Sequence, residues 1–253
     1  MSGGRNLLLT IRFVGTNYAG YQVQQNATGV CTVLQDALER VLGSRGDVKG
    51  VSRTDAGVHA GKYCLSFLTD STVSCDGLPL ALNAHLPDDI AVTSCREVPP
   101  DFHARYSATG KEYTYKLLNS RVRDPFLVGL CHRVAYPIDA TALHAQAQDF
   151  LGRHDFSAFK AKGGKPGDAV RTVTHFSVER QDELILFTVR GDGFLYKMVR
   201  IMVGTLLGIA SGRLPAGCIP EIIAGKDRAR AGQTAPACGL YLSDVFYDYS
   251  HRT

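Results

Sequence analysis

Apolar positions along the chain fall into short runs whose period switches between two and about 3.6 residues. Residues 7–13 (LLLTIRF) have the length and β-branched content of a strand, and they lead into a glycine-bearing loop at 15–20. Residues 32–42 read as a helix, because Leu34, Leu38, Val41 and Leu42 fall at i, i+4, i+7 and i+8 and Gly43 follows as a stop. A short strand at 48–51, a turn at 53–57, a strand at 63–68, a helix at 78–83 and a strand at 90–98 complete the first half.

The second half repeats this order. Residues 111–118 (KEYTYKLL) alternate as a strand does, which places Tyr113 and Tyr115 on one face. Residues 141–151 are predicted helical, with Leu143, Ala147, Phe150 and Leu151 in phase. Strands at 170–179 and 183–190 are joined by the polar turn 180–182, a long apolar helix covers 194–210, and a last strand covers 240–247. Each half therefore reads β-α-β-β-α-β, the split βαβ order. The expected fold is α+β, two ferredoxin-like halves with mainly antiparallel sheets, divided into residues 1–105 and 106–253.

Composition narrows the class. Of 253 residues, 45% are hydrophobic and 21% charged, the balance of an ordinary globular protein. No apolar run approaches the roughly 20 residues of a membrane span, and the N-terminus lacks a targeting pattern, so the expectation is a cytoplasmic protein with no membrane contact. The 7 cysteines are odd in number and widely spaced, which fits reduced thiols and neither a disulfide scaffold nor a metal site. Charge is uneven. Residues 1–105 hold 9 Lys and Arg against 10 Asp and Glu, a balance of −1, and residues 106–253 hold 19 against 14, a balance of +5. Two basic stretches stand out, one with Arg105, Lys111, Lys116, Arg121 and Arg123, the other with Lys160, Lys162, Lys165 and Arg171. Each suits either a solvated face or a surface that tracks phosphates.

The segment richest in chemistry is Ser52-Arg53-Thr54-Asp55-Ala56-Gly57-Val58-His59-Ala60, which puts Asp55 on a loop after a short strand. An isolated Asp-x-Gly is ordinarily only a turn. The full string from Arg53 to Ala60, however, matches the signature loop of TruA-type tRNA pseudouridine synthases at every position. Other family-like stretches follow in order: Gly15-Thr16-Asn17-Tyr18 with Gly20 and Gln22, Asp101-Phe102-His103-Ala104-Arg105, Lys111 with Tyr113 and Tyr115, Met198-Val199-Arg200, and Ala235-Pro236 with Gly239-Leu240. The chain thus resembles that family from about residue 7 to about residue 247. It departs from it at Val14 and Tyr21, where members commonly carry Asp and Trp.

The resemblance implies a pseudouridine synthase core with a central RNA-binding cleft, and an isomerase acting on uridines of the tRNA anticodon stem-loop at positions 38 to 40. It implies no cofactor and no metal, because the reaction only rearranges one nucleoside; consistently, no phosphate-loop or dinucleotide motif is present. It also implies a homodimer. Asp55 is the implied catalytic carboxylate, a nucleophile on sugar or base, or a proton acceptor. Arg200 is implied as its ion-pair partner, and an Arg inside an otherwise apolar helix is expected to be paired or to snorkel. Tyr113 and Leu240 are implied to contact the target base, and Arg53 to fill the space the base leaves. His59 is expected to be structural. Without the resemblance, Tyr113 and Leu240 read as ordinary strand and core residues. An RNA-binding protein without turnover and a glycoside hydrolase are the alternative readings, the second needing a further carboxylate.

Overall fold

A computed structural model of the chain describes residues 4–163 and 167–248; Lys165, part of the second basic stretch, lies outside them. By contact the chain forms two compact units, one of residues 1–109 with 242–253 and one of residues 110–241. The sequence reading divides it once, between 105 and 106. The observed boundaries fall inside two strands, so the described residues from Leu242 to Asp248 belong with the first unit.

The first unit contains β1 (Arg5–Phe13), α1 (Val30–Leu42), β2 (Lys49–Gly50), β3 (His59–Thr69), α2 (Gly77–Asn83) and β4 (Ile90–Val98). Its sheet runs β4-β1-β3, with β2 pairing β3 as well, which is the strand order of a split βαβ unit. β1 is antiparallel to both β3 and β4. Leu7, Leu8 and Leu9 are all buried, so both faces of this central strand are covered and the run is continuous rather than alternating. Val30, Leu34, Ala37 and Leu38 form the buried stripe of α1, and the helix closes at Gly43, whose N–H donates to the Glu39 carbonyl.

The second unit contains β5 (Ala108–Asn119), β6 (His132–Val134), α3 (Ala140–Ala147), β7 (Gly152–Asp155), β8 (Val170–Gln181), β9 (Leu184–Gly191), α4 (Met198–Ala210) and α5 (Ile219–Gly225). The last strand, β10 (Leu240–Tyr247), begins here, and its residues from Leu242 onward lie in the first unit beside β3. The sheet order of the second unit is β5-β9-β8-β7, antiparallel throughout, while β6 pairs with β5 in parallel. Tyr113, Tyr115 and Leu117 lie opposite Val189, Phe187 and Ile185 and bury the same face of β5.

The fold is α+β with mainly antiparallel pairing, as the element order predicts. Some elements differ in extent. The apolar helix expected from residue 194 begins only at Met198, because Lys197 adopts a left-handed conformation (φ 59°) that no helix continues. The helix expected over 141–151 is α-helical to Ala147 and tightens into a 3-10 turn at Gln148–Phe150. Strands β6 and β7 and helix α5 are additions that the sequence reading leaves as loop.

Candidate active site

The loop that carries Asp55 runs from β2 to His59, the first residue of β3. Hydrogen bonds to β3 fix its entry: the Val51 N–H donates to the Cys64 carbonyl (2.9 Å), and the Tyr63 hydroxyl donates to the Ser52 carbonyl (2.5 Å). Inside the loop, the Val58 N–H closes a turn on the Asp55 carbonyl (3.2 Å). Arg53 is exposed, Asp55 is half-buried, and His59 is fully buried.

Residues 15–20 brace this loop from outside. The Gly15 N–H donates to His59 Nδ1 (3.0 Å) and the Gly57 N–H to the Tyr18 carbonyl (3.2 Å). The backbones approach so closely that a Cβ at Gly20, whose φ is +92°, would lie 2.3 Å from the Thr54 carbonyl oxygen, and one at Gly15 only 1.9 Å from that of Val58. Only glycine fits at both positions. His59 is thereby structural.

Asp89 anchors the brace in turn. Its carboxylate accepts from the Tyr18 hydroxyl (2.5 Å) and from Asn17 Nδ2 (3.1 Å), and its carbonyl accepts from the Val14 N–H (2.9 Å). Burial first, and then the neighbouring Asp89, push the Tyr18 phenol far above its ordinary range, so it remains a proton donor. Asp89 carries no motif that a sequence reading could notice; its role exists only because the 87–90 turn returns beside residues 14–18.

The second unit holds Tyr113, Arg200 and Leu240. The segment 235–240 relates two of them. In the first turn of α4, Arg200 donates from Nε to the Ala235 carbonyl (2.7 Å), and its own carbonyl accepts from the Ala235 N–H (3.0 Å). This half-buried Arg in an apolar helix is thus fastened to that segment by two bonds. The Tyr115 hydroxyl donates to the Pro236 carbonyl (3.0 Å), and a Cβ at Gly239 would lie 2.5 Å from the Tyr115 ring. The buried Leu240 follows as the first residue of β10. Tyr113, two residues before Tyr115 on the same face, is 7% exposed and sets its ring edge-on to Phe194 (5.3 Å, 88°). Asp55 and Arg53 belong to the first unit.

Ser52 and Arg53 also wall a pocket of ≈ 290 Å³ within the first unit, together with Tyr21, Cys31, Val48 and Arg105. The Tyr21 ring stacks on Tyr63 (4.2 Å, 26°) and is 4% exposed. These walls come from separate stretches of chain, so no local motif announces them. Among the described residues, no group of three or more His, Cys, Asp or Glu is arranged to hold a metal ion, and no helix is long and apolar enough to cross a membrane.

A family model described as tRNA pseudouridine synthase matches residues 9–107 and 146–248. The chain is 45% identical over 243 residues to tRNA pseudouridine synthase A of Acetivibrio thermocellus, covering 96% of this chain and 100% of that one. The protein of the same name from Ruminiclostridium cellulolyticum is 45% identical over 244 residues, with 96% and 100% covered. That of Shouchella clausii is 44% identical over 238 residues, with 94% and 91% covered.

Proposed function

This chain belongs to the tRNA pseudouridine synthase family, and from that premise we propose that it isomerises uridine to pseudouridine in the tRNA anticodon stem-loop, at positions 38 to 40. The observation that supports this most is the Arg53–Ala60 string held on a loop braced at both ends, which gives Asp55 a fixed backbone and a half-exposed carboxylate. The reaction breaks the N-glycosidic bond, turns the uracil, and rejoins it to the sugar through carbon. The carbon gives up a proton and the freed nitrogen gains one. Atoms and electrons balance within the nucleoside, so no cofactor is required.

In this proposal Asp55 is the nucleophilic carboxylate and Arg200 its counter-ion, which keeps the carboxylate charged when RNA and apolar side chains exclude water. Tyr113 packs on the extruded base and Leu240 lies against its other side; base–aromatic stacking is worth roughly 1–3 kcal/mol. Arg53 enters the helix where the base has left, offsetting part of the few kcal/mol that extrusion costs. The bond that Arg200 Nε donates to the Ala235 carbonyl supports its part, since it holds the side chain in one orientation. The working form is a cytoplasmic homodimer, and sedimentation of the purified protein should give twice the chain mass.

The test is Asp55→Ala. Pseudouridine formation in tRNA should fall about a thousandfold or more, while tRNA affinity stays within a few-fold of the parent. Persistent modification would remove Asp55 from the chemistry, and release of free uracil would identify a hydrolase. If tRNA from cells lacking the protein keeps every anticodon-arm pseudouridine, the substrate assignment fails.

A further inference from the structure

No cysteine has a part in the proposed reaction, yet two of them meet in the first unit. Cys95 lies on β4 opposite Leu9 of β1, and Glu97 lies two residues further along the same face, opposite Leu7. Cys75 lies in the turn that leads into α2, the helix packed against β4. Arg5 ties the two segments together. Its Nε donates to Glu97 Oε2 (3.0 Å), its Nη1 to the carbonyls of Ser71 (3.1 Å) and Val73 (3.0 Å), and its Nη2 to Cys75 Sγ (3.7 Å). The turn is therefore drawn onto the face of β4 that carries Cys95, and the two thiols hydrogen-bond one another. Both side chains are half-buried, which leaves each partly open to solvent.

We propose that Cys75 and Cys95 form a reversible redox pair, closed to a disulfide by exchange with a low-molecular-weight disulfide. In the first step the Cys75 sulfur attacks the reagent, a mixed disulfide forms, and one small thiol leaves. In the second, the Cys95 sulfur attacks Cys75, the bond to the reagent breaks, and the second small thiol leaves. The protein gives up two protons and two electrons, and the reagent takes up both. The order follows from the surroundings. Cys75 has the Arg5 guanidinium against its sulfur and is partly exposed, the setting of a reactive cysteine. Burial first, and then the Cys75 thiol, push Cys95 up to about 12, so it acts only when its partner holds the reagent beside it.

Closing the pair staples the turn before α2 to the edge of the sheet. Among the described strands, β4 pairs with β1 alone. Asn83, the last residue of α2, holds it from the side: its Nδ2 donates to the Val92 carbonyl (2.9 Å) and its Oδ1 accepts from the Val92 N–H (2.7 Å). A covalent link adds a second hold on the same strand. That strand directly follows the turn whose Asp89 anchors the brace of the Asp55 loop, so the staple supports the site's framework under oxidising conditions. Disulfides that form only transiently are the kind a reducing compartment permits.

The experiment treats the reduced protein with oxidised glutathione at neutral pH and maps its cysteines by peptide mass spectrometry. The parent should give a Cys75–Cys95 link that dithiothreitol reverses. Its Tm should rise by about 5 °C on oxidation and return on reduction, because the link closes the loop between the two positions. Cys95→Ser should stop at a glutathione adduct on Cys75, with Tm unmoved. In Cys75→Ser, Cys95 should take up glutathione about tenfold more slowly than Cys75 does in the first variant. A parent without the Cys75–Cys95 link overturns the inference, as does a link confined to other cysteines or one that leaves Tm unchanged. Equal reactivity of the two sulfurs overturns it as well. Mapping the parent needs no substitution, so a serine variant that does not fold leaves the test standing.

Discussion

Gly20 carries more of the site than its size suggests, because the Thr54 carbonyl occupies the space a side chain would need. Gly20→Ala adds a clash at 2.3 Å to a positive φ, and should cost about 2–4 kcal/mol of stability. It should also displace the Asp55 loop, so turnover should fall further than the shift in urea midpoint alone accounts for. Asp155 shows the opposite case, a surface carboxylate held by its partners. Lys226 (2.8 Å) is the leading cause that holds its pKa down at about 2, with Ser157 next (hydroxyl 2.6 Å, N–H 3.0 Å). The folded value lies below the ordinary 3.8, so this stabilisation is fully present above about pH 4 and is lost as pH falls through 2. The pair is largely solvated, so Lys226→Met should cost less than about 1 kcal/mol at pH 6 and nothing measurable near pH 2. Urea unfolding at the two pH values reads the difference.

Helix α4 behaves as a core element with one polar duty. Met198, Val199, Ile201, Met202, Val203, Leu206 and Leu207 are buried, so nearly its whole circumference is apolar contact, and Arg200 is the charged residue within it. The segment from Gly232 to Ala235 crosses it closely. A Cβ at Gly204 would lie 1.7 Å from the Gln233 carbonyl oxygen, and the Gly232 N–H donates to Thr205 Oγ1 (2.9 Å). Gly204→Ala must push that segment off the helix. We expect a loss of about 2–4 kcal/mol, read from the denaturation midpoint. Ala235 moves with the segment, so Arg200 loses its fixed orientation, and pseudouridine formation should drop even in the fraction that remains folded.

At the scale of the whole molecule, the second unit is inserted into the first, which is completed only when the chain returns in β10. In the first unit, Lys62 pairs with Asp244 (2.5 Å), the Tyr247 hydroxyl donates to the Ala104 carbonyl (2.7 Å), and the Tyr247 ring meets Phe102 (5.2 Å). A chain ending at Tyr241 loses all three, along with the buried Leu242 and Val245, and leaves β3 without that neighbour. Limited proteolysis should then cut first within residues 4–109. Periodicity alone conveyed much of this architecture. The alternation of β5, the stripe of α1 and the string around Asp55 are local patterns, and each is recorded within a dozen consecutive residues. Other features needed the folded chain. The Asp89 anchor, the hold of residues 235–240 on Arg200 and the Tyr21–Arg105 pocket each join segments far apart in sequence, the short strands β6 and β7 are defined by their pairing with β5 and β8, and Lys197 ends a helical pattern that its apolar neighbours would have continued. A sequence states which face of an element will be buried, because burial follows from hydrophobic spacing. Which distant segment covers that face is decided by the sum of contacts over the whole fold, and no stretch of chain contains that sum.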